Sequence, residues 1–323
     1  MKFKRSRRRW AVTFLFIAVF LGIALYPLPS QNAIHYYDRV SGAMKTEKVP
    51  GESWLVWLYH NPVGEATLST FARRKIVSTV YGNRMDRASS VKLIDPFIKD
   101  FGVDMSISQK KKFKTFNEFF YRKLKPEARP IAGDSSIAVS PADGKVLAYA
   151  DIHNADFFVK GARFDVATFL DDPKLAEKYR DGSLLIFRLA PPDYHRYHFP
   201  VGGRVGRNHT ITGDYFSVNP LALRKKLEIF WLNKREYSVI TNPVFGDVVM
   251  VEVGATMVGS MITTFKGNTV KKGEEKGFFK FGGSTVVLIF EKDKIRIDPD
   301  FLKNTAKGFE TTVKMGERIG VSF

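Results

Sequence analysis

The sequence predicts an α+β protein in which an N-terminal membrane helix and peripheral amphipathic helices precede a β-rich domain of mostly antiparallel strands. Three observations support this fold class. An uncharged apolar run begins at Trp10, helical patterns fill the chain up to about Pro130, and short strand-like runs separated by turns continue to the C-terminus. With 323 residues, 44% of them hydrophobic, the chain can bury a sizeable core in one large domain or two smaller ones.

Residues 1–30 form the first predicted unit, a basic N-terminus followed by a membrane anchor. The run from Trp10 to Leu28 has 19 residues without a charge, about the minimum that spans the hydrocarbon core of a bilayer. Basic residues precede the run and aromatic residues lie near both of its ends, as at membrane interfaces. A cleaved signal peptide and a buried helix are the alternatives, but no small-x-small cleavage site follows. We therefore expect a protein anchored in the cell (inner) membrane, with the side of its main domain undetermined.

Residues 31–130 form the second predicted unit, a helical part of the body close to the membrane. Its clearest helix follows Thr115, a plausible N-cap, and carries Phe116, Phe119 and Phe120 on one apolar face. The prolines that follow end this helix. Such a face lies on an anionic membrane in some proteins, but it more often packs against the protein's own core, which is the interpretation favoured here.

Residues 131–323 form the third predicted unit, which is rich in β-strands. Turn signals such as Ala142-Asp-Gly144 and Phe245-Gly-Asp247 separate short runs of strand-forming residues. The predicted strands are Ile137 to Ser140, Lys145 to Ala150, Ser183 to Leu189, Tyr237 to Thr241, Asp247 to Val253, Thr285 to Phe290 and Lys294 to Ile297.

The composition excludes several kinds of chemistry. The chain has no cysteine, so it has no disulfide, no thiolate metal ligand and no cysteine nucleophile. No histidine pair has the spacing of a helical zinc motif, and we expect no metal. The net charge of +18 suits a polyanionic partner, either an anionic lipid surface or nucleic acid. The apolar N-terminal run favours the lipid surface, so we expect no nucleic acid.

The segment Gly282-Gly-Ser-Thr285 indicates a chain that can cut itself. The hydroxyl of Ser284 can attack the carbonyl of Gly283 only through a strained five-membered ring, and glycine tolerates such strain best. An N-to-O acyl shift would give an ester. Removal of the α-proton and β-elimination would then release the upstream chain and leave dehydroalanine, which hydrolyses to an N-terminal pyruvoyl group. Taken alone, the four residues more often form a turn or bulge that leads into a strand.

Two other segments supply the groups that such a step needs. Asp143 lies in a turn before a predicted strand, and His195 and His198 lie between aromatic residues and prolines. In an extended segment this three-residue offset turns the two imidazoles to opposite faces, whereas in a tight turn they share one. Each residue alone also fits a structural role, but an acid, a histidine and a serine together can activate a hydroxyl nucleophile. A serine hydrolase would use the same groups, although its Gly-x-Ser-x-Gly elbow is absent.

Six segments together resemble the phosphatidylserine decarboxylases, in the order of that family and over roughly Ile34 to Phe323. The first position of the self-processing motif is commonly leucine in that family, and Gly282 is a variant found there too. The segments are Phe116-Asn-Glu-Phe-Phe-Tyr-Arg-Lys-Leu-Lys-Pro-Glu-Ala-Arg-Pro130, Ser140-Pro-Ala-Asp-Gly144, Asp193-Tyr-His-Arg-Tyr-His-Phe-Pro200, Gly213-Asp-Tyr-Phe-Ser-Val-Asn-Pro220, Val253-Gly-Ala-Thr-Met-Val-Gly-Ser260 and Lys272-Gly-Glu-Glu-Lys-Gly-Phe-Phe-Lys-Phe-Gly-Gly-Ser-Thr285.

The resemblance implies roles for four residues. Asp143, His198 and Ser284 would form the self-cleavage triad, with His198 as the base and Asp143 holding its imidazole. His195 would protonate the substrate or handle its carboxylate. Cleavage between Gly283 and Ser284 would give a β chain, residues 1–283, and an α chain of 40 residues, 284–323, within the catalytic domain.

The resemblance also implies the reaction and its partners. The cofactor would be the pyruvoyl group derived from Ser284, which forms a Schiff base with the amine of phosphatidylserine, so that carbon dioxide leaves and phosphatidylethanolamine results. The partners would be phosphatidylserine in an anionic membrane and the chain's own α and β pieces, with a homodimer of αβ units as one arrangement. The alternatives are a membrane-anchored serine hydrolase or lipase that uses Ser284, His198 and Asp143 without cutting itself, and a non-enzymatic, basic membrane-anchored module that binds anionic lipid or nucleic acid.

Overall fold

The computed structural model describes residues 2–28, 32–153, 165–225, 228–255 and 261–323. Part of the segment 253–260 and part of the link between the N-terminal run and the body lie outside these residues. The described residues form a mixed α+β structure whose strands pair almost entirely in antiparallel fashion. The predicted α+β class with a β-rich, mostly antiparallel domain is therefore confirmed.

The helices are concentrated in the first third of the chain and at the margins of the sheets. They are α1 (Lys2–Ala24), α2 (Glu52–His60), α3 (Pro62–Thr67), α4 (Lys75–Met85), α5 (Ile94–Phe101), α6 (Phe116–Phe120), α7 (Val166–Leu170), α8 (Pro173–Glu177), α9 (Pro220–Lys225), α10 (Ile229–Leu232) and α11 (Pro299–Thr305).

The strands begin earlier in the chain than the sequence predicts. They are β1 (His35–Asp38), β2 (Ala43–Thr46), β3 (Ile137–Val139), β4 (Gly144–Tyr149), β5 (Ser183–Leu189), β6 (Arg196–His198), β7 (Gly203–Val205), β8 (His209–Ile211), β9 (Arg235–Asn242), β10 (Gly246–Gly254), β11 (Met261–Thr263), β12 (Thr269–Val270), β13 (Glu275–Phe279), β14 (Ser284–Phe290), β15 (Arg296–Ile297), β16 (Glu310–Val313) and β17 (Arg318–Val321).

One large sheet forms the centre of the molecule. Its strand order is β12-β7-β9-β10-β14-β5-β4-β16-β1-β2, with β8 added beside β9. Within this sheet only the β1–β16 pair is parallel among the described strands. Two three-stranded sheets accompany it, with the orders β11-β13-β6 and β15-β17-β3. Strand β14 therefore lies in the interior of the large sheet, between β10 and β5.

The large sheet is covered on both faces, and β14 contributes to both cores. Val287 and Ile289 pack into a core with α2, α7, α8 and α10. Val286 and Leu288 point to the other face and pack into a second core with the two small sheets. This alternation is the two-residue period of a strand. Because both faces are buried, the strand is a nearly continuous apolar run, as the sequence around residues 285–290 indicates.

The predicted membrane-spanning anchor is wrong. Helix α1 includes the basic residues of the N-terminus and ends at Ala24, so only Trp10 to Ala24 of the apolar run is helical. That part is roughly 22 Å long at 1.5 Å per residue, short of the ~30 Å hydrocarbon core. No helix among the described residues has the length and apolar content that a membrane crossing requires. The predicted location in the cell (inner) membrane depended on that anchor and is therefore also wrong.

The helix predicted after Thr115 is present as α6. The Thr115 hydroxyl accepts a hydrogen bond from the backbone N–H of Glu118 at 3.1 Å, which caps the helix. The rings of Phe116, Phe119 and Phe120 are all buried among neighbouring aromatic side chains. This apolar face therefore packs against the protein's own core, and α6 lies close to the residues considered next.

Candidate active site

Ser284 is the first residue of β14 and is fully buried. It lies opposite Gly254 of β10 and Leu189 of β5. Alternate residues of a strand share a face, so the Ser284 side chain points to the same side as Val286, toward the small sheet that contains β6. The residues just before it, Gly282 and Gly283, lie outside any strand.

His195 is the imidazole in contact with Ser284. Its Nδ1 lies 3.1 Å from Ser284 Oγ, and its Nε2 lies 3.0 Å from the carbonyl oxygen of Ala190. A carbonyl can only accept a hydrogen bond, so Nε2 carries the proton and donates it to Ala190. In the neutral ring Nδ1 then has a free lone pair, which accepts the hydrogen bond of the Ser284 hydroxyl.

The surroundings of His195 keep its ring neutral. Burial is the main cause that lowers the pKa of His195 to about 3, and the positive charge of Arg122 acts in the same direction. The ring of Phe120 stacks on the imidazole, with the two centroids 3.8 Å apart. His195 is therefore fixed in orientation, uncharged at neutral pH, and a weak base.

His198 has different partners. Its Nδ1 lies 3.0 Å from the carbonyl oxygen of Gly273 and so donates to it, which leaves Nε2 to accept from the Tyr194 hydroxyl at 3.3 Å. Burial lowers the pKa of His198, against the hydrogen bond to Gly273 and the charge of Glu275, which act to raise it; Arg196 lowers the pKa and Asp143 raises it by smaller amounts. His198 thus has a carboxylate in its electrostatic environment, although its ring is bonded elsewhere.

Asp143 is almost fully buried and is held by Arg129. Its two carboxylate oxygens accept from Nε and Nη2 of Arg129, the former at 2.8 Å. The backbone N–H of Met315 donates to the same carboxylate at 2.8 Å. Within the described part of the chain Asp143 makes no hydrogen bond to His195 or His198. A charged acceptor with three such donors is well stabilised despite its burial.

The structure therefore brings Ser284 and His195 into contact and leaves His198 and Asp143 in a second group beside them. Sequence reasoning did not identify Tyr194, Arg129 or Phe120 as parts of the site. Arg129 and Phe120 belong to the segment before residue 131 that resembles the family, which was a usable signal. Tyr194 directly precedes His195, but nothing in the sequence indicates that its hydroxyl meets His198.

A cavity of about 330 Å³ adjoins Gly282 and Gly283. Its walls are mostly apolar and include Trp54 and Leu58 of α2 as well as Val218. The charged side chain that lines it, Arg188, is bonded to Glu47 and Glu310.

This ion-pair network is balanced in charge. Burial alone would raise the pKa of Glu47, but the charges of Arg188 and Lys145 outweigh it and lower the pKa to about 2. The cavity next to Gly282 and Gly283 thus combines apolar walls with one charged side chain, Arg188, whose charge is compensated by its ion-pair partners. In the described ranges, no set of three or more histidine, aspartate or glutamate side chains is arranged to hold a metal ion.

The chain is similar to known proteins over most of its length. Residues 116–321 match the family model described as phosphatidylserine decarboxylase. The chain is 47% identical to a phosphatidylserine decarboxylase proenzyme of Fusobacterium nucleatum, over 89% of this chain and 97% of the relative. It is 48% identical to that of Clostridium botulinum (strain Langeland) and 47% identical to that of Desulfitobacterium hafniense (strain DCB-2), over 89% of this chain and 98–99% of each relative. The chain belongs to the phosphatidylserine decarboxylase family.

Proposed function

We propose that this protein converts phosphatidylserine to phosphatidylethanolamine and carbon dioxide, with a pyruvoyl group that it makes from its own Ser284. Membership of the family supports the reaction. One observation supports the self-processing step: the buried hydroxyl of Ser284 contacts the neutral imidazole of His195, and Ser284 directly follows two glycines. A serine at the start of a central strand, with an oriented hydroxyl and an adaptable peptide bond before it, suits an attack on the backbone.

The self-cleavage can be written with every atom in balance. Ser284 Oγ loses its proton to a base and bonds to the carbonyl carbon of Gly283, while the Gly283–Ser284 C–N bond breaks and the nitrogen gains a proton. A base then removes the α-proton of Ser284. The Cβ–Oγ bond breaks, Gly283 leaves as a carboxylate, and residue 284 becomes dehydroalanine. Water converts this residue to the pyruvoyl group and releases ammonia.

The two histidines divide these tasks in our proposal. His198 takes protons during self-cleavage, as the resemblance implies. His195 orients the Ser284 hydroxyl first, and afterwards lies beside the group formed from residue 284. To reach Ser284, the His198 ring must leave Tyr194 and Gly273.

The residues around position 284 fit the proposed prosthetic group. When formed, the pyruvoyl group supplies the electron sink for loss of carbon dioxide from the serine head group. The chain's own contributions are a fixed imidazole at His195, a strand that holds residue 284, and an apolar cavity that limits water. The cavity adjoins the scissile bond and would admit the substrate.

The proposal extends to the lipid surface and to the assembly of the cleaved chains. The net positive charge favours phosphatidylserine presented in an anionic bilayer. The cleaved α and β chains stay together because β14, in the α chain, pairs on both sides with strands of the β chain. Association of two αβ units is open to measurement by the mass of the processed complex.

The test compares the wild type with Ser284→Ala. The wild type is expected to be cut and to release carbon dioxide from phosphatidylserine vesicles, whereas Ser284→Ala stays in one piece and is inactive. The serine hydrolase alternative predicts an intact wild-type chain that a fluorophosphonate probe labels at Ser284. A Ser284→Ala protein that still decarboxylates the lipid would overturn our proposal.

A further inference from the structure

Asn117 connects helix α6 to the segment just before the scissile bond. Its Oδ1 accepts the backbone N–H of Phe281 at 2.8 Å, two residues before Gly283. Its Nδ2 donates to Asp86 Oδ1 at 2.9 Å and to the carbonyl oxygen of Gly82 at 3.3 Å. The side chain is fully buried, with its acceptor and both donors in use. Replacing it leaves buried polar groups unpaired.

Helix α6 also contacts the ring of Phe281 and the imidazole of His195. The ring of Phe281 packs edge-on against Phe116 and Phe120, with both centroid distances 5.0 Å. Phe120 in turn stacks on His195. Helix α6 therefore contacts both the residues upstream of the scissile bond and the imidazole that contacts Ser284.

The chain between the two anchors is short. Ser284 is fixed downstream by its place in β14, between β10 and β5. Phe281 is fixed upstream by Asn117. Only Gly282 and Gly283 lie between them, and Gly282 has φ +141°, which residues with side chains rarely adopt. Because glycine adopts many backbone conformations, the link keeps this one only while both ends are held, and releasing either end lets it move.

We infer that Asn117 is a positioning residue for self-cleavage: its amide holds the Phe281 end of the Gly282–Gly283 link and thereby keeps the Gly283 carbonyl in reach of the Ser284 hydroxyl. This inference rests on the proposed function. It concerns the acyl shift, because that step needs the strained ring geometry, whereas the later elimination acts on an ester.

The ion pair between Lys280 and Asp86 supplies a matched control. Its nitrogen and oxygen are 2.9 Å apart, but both side chains are about one-third exposed, so the pair adds little. Asn304 supplies a second control, because it is a largely buried asparagine in α11 that donates to Thr311. Lys280→Met shows the effect of losing a contact near the cleavage segment. Asn304→Ala shows the effect of losing a largely buried amide elsewhere in the protein.

The experiment follows full-length precursor made by cell-free translation and measures the rate at which residues 1–283 appear. We expect Asn117→Ala to slow cleavage about 10-fold or more, since small displacements of reacting atoms have large kinetic effects. Lys280→Met and Asn304→Ala should stay within about twofold of wild type. Cleavage of Asn117→Ala at the wild-type rate overturns the inference. An uncut wild type instead overturns the proposed function.

Hydroxylamine separates a defect in the acyl shift from a defect in the later elimination. This nucleophile cuts an ester, so it accelerates cleavage only where the acyl shift has occurred. It should not restore cleavage in Asn117→Ala. Full restoration would mean that the ester forms normally, which contradicts the inference.

A double variant that exchanges the residues at positions 86 and 117 keeps the test valid if Asn117→Ala does not fold. The double variant Asp86→Asn with Asn117→Asp retains an oxygen acceptor for Phe281 N–H and a hydrogen bond between positions 86 and 117, with the roles exchanged. Cleavage should recover to within about threefold of wild type, because the retained bonds restore the position of the peptide. A folded but uncut double variant would contradict the inference.

Discussion

His195 and His198 lie three residues apart, yet their surroundings differ in charge and in hydrogen-bond partners. His195 has the cation of Arg122 nearby, a stacked aromatic ring and the Ser284 hydroxyl. His198 has the carboxylates of Glu275 and Asp143 and the cation of Arg196 nearby, and is bonded to Tyr194 and Gly273. His198 is the last residue of β6, whereas His195 lies just before this strand. One imidazole thus contacts Ser284, and the other is bonded to Tyr194 and Gly273.

The largest expected effect separates the two histidines by their alanine variants. His198→Ala should slow the appearance of residues 1–283 by about 100-fold or more, because it removes the base. His195→Ala should slow it by about 10-fold or less, because only the orientation of the hydroxyl is lost. Time courses of precursor processing measure both rates. The reverse order would assign the base to His195 and would remove His198 from the proposed role.

The second effect concerns the carboxylate beside His198. Arg129→Met removes the nearer cation of the buried Asp143 and leaves Lys314 Nζ 3.9 Å from its carboxylate, and we expect it to lower the free energy of unfolding by about 3–5 kcal/mol. Urea unfolding in a Ser284→Ala background, where the chain stays intact, measures this. Adding Asp143→Leu removes the poorly compensated charge and should recover part of the loss. Equal stability of the Arg129→Met protein and its parent would show that Asp143 does not depend on this partner.

The third effect is a pH dependence that belongs to His195. Its folded-state pKa of about 3 lies below the usual 6.5, so between these values the unfolded chain binds a proton that the folded chain does not. Stability should therefore fall as the pH falls from about 6.5 toward 3. His195 contributes at most about 1.4 kcal/mol per pH unit to that slope. His195→Gln should flatten the slope relative to its parent in urea titrations, and an unchanged slope would show that His195 is not buried as a neutral ring.

The smallest effect concerns the bond that His198 must break. Tyr194→Phe removes the hydroxyl from His198 Nε2 and costs about 1 kcal/mol of stability. Because the ring is then freer to turn toward Ser284, we expect cleavage to be no slower than in wild type. A strong loss of cleavage in a folded Tyr194→Phe protein would indicate that the hydroxyl itself takes part in the reaction.

Local patterns in the sequence predicted much of the large sheet. The predicted strands beyond residue 130 correspond to β3, β4, β5, β9, β10, β14 and β15, because they combine β-branched residues with clear turns. Strands β1 and β2 were missed within the part predicted as helical. They are short and polar, and β1 is stabilised by pairing with the distant β16. No local pattern reports such a partner.

The sequence singles out four candidate residues but does not predict their contacts. Ser284, His195, His198 and Asp143 stand out by residue type and turn context. His195 and Ser284 are 89 residues apart in the chain, and the strands next to them, β6 and β14, belong to different sheets. The relative position of the two sheets therefore determines which imidazole contacts Ser284. The predicted anchor failed for a related reason, since hydropathy gave the length of the apolar run but not the end of helix α1 at Ala24.

The most direct test of the account is the intact mass of the purified wild-type protein. We predict two chains, residues 1–283 and 284–323, with the smaller chain lacking a free N-terminal amine because it begins with a pyruvoyl group. A single uncut chain that still decarboxylates phosphatidylserine, or a cut at another peptide bond, would contradict the account.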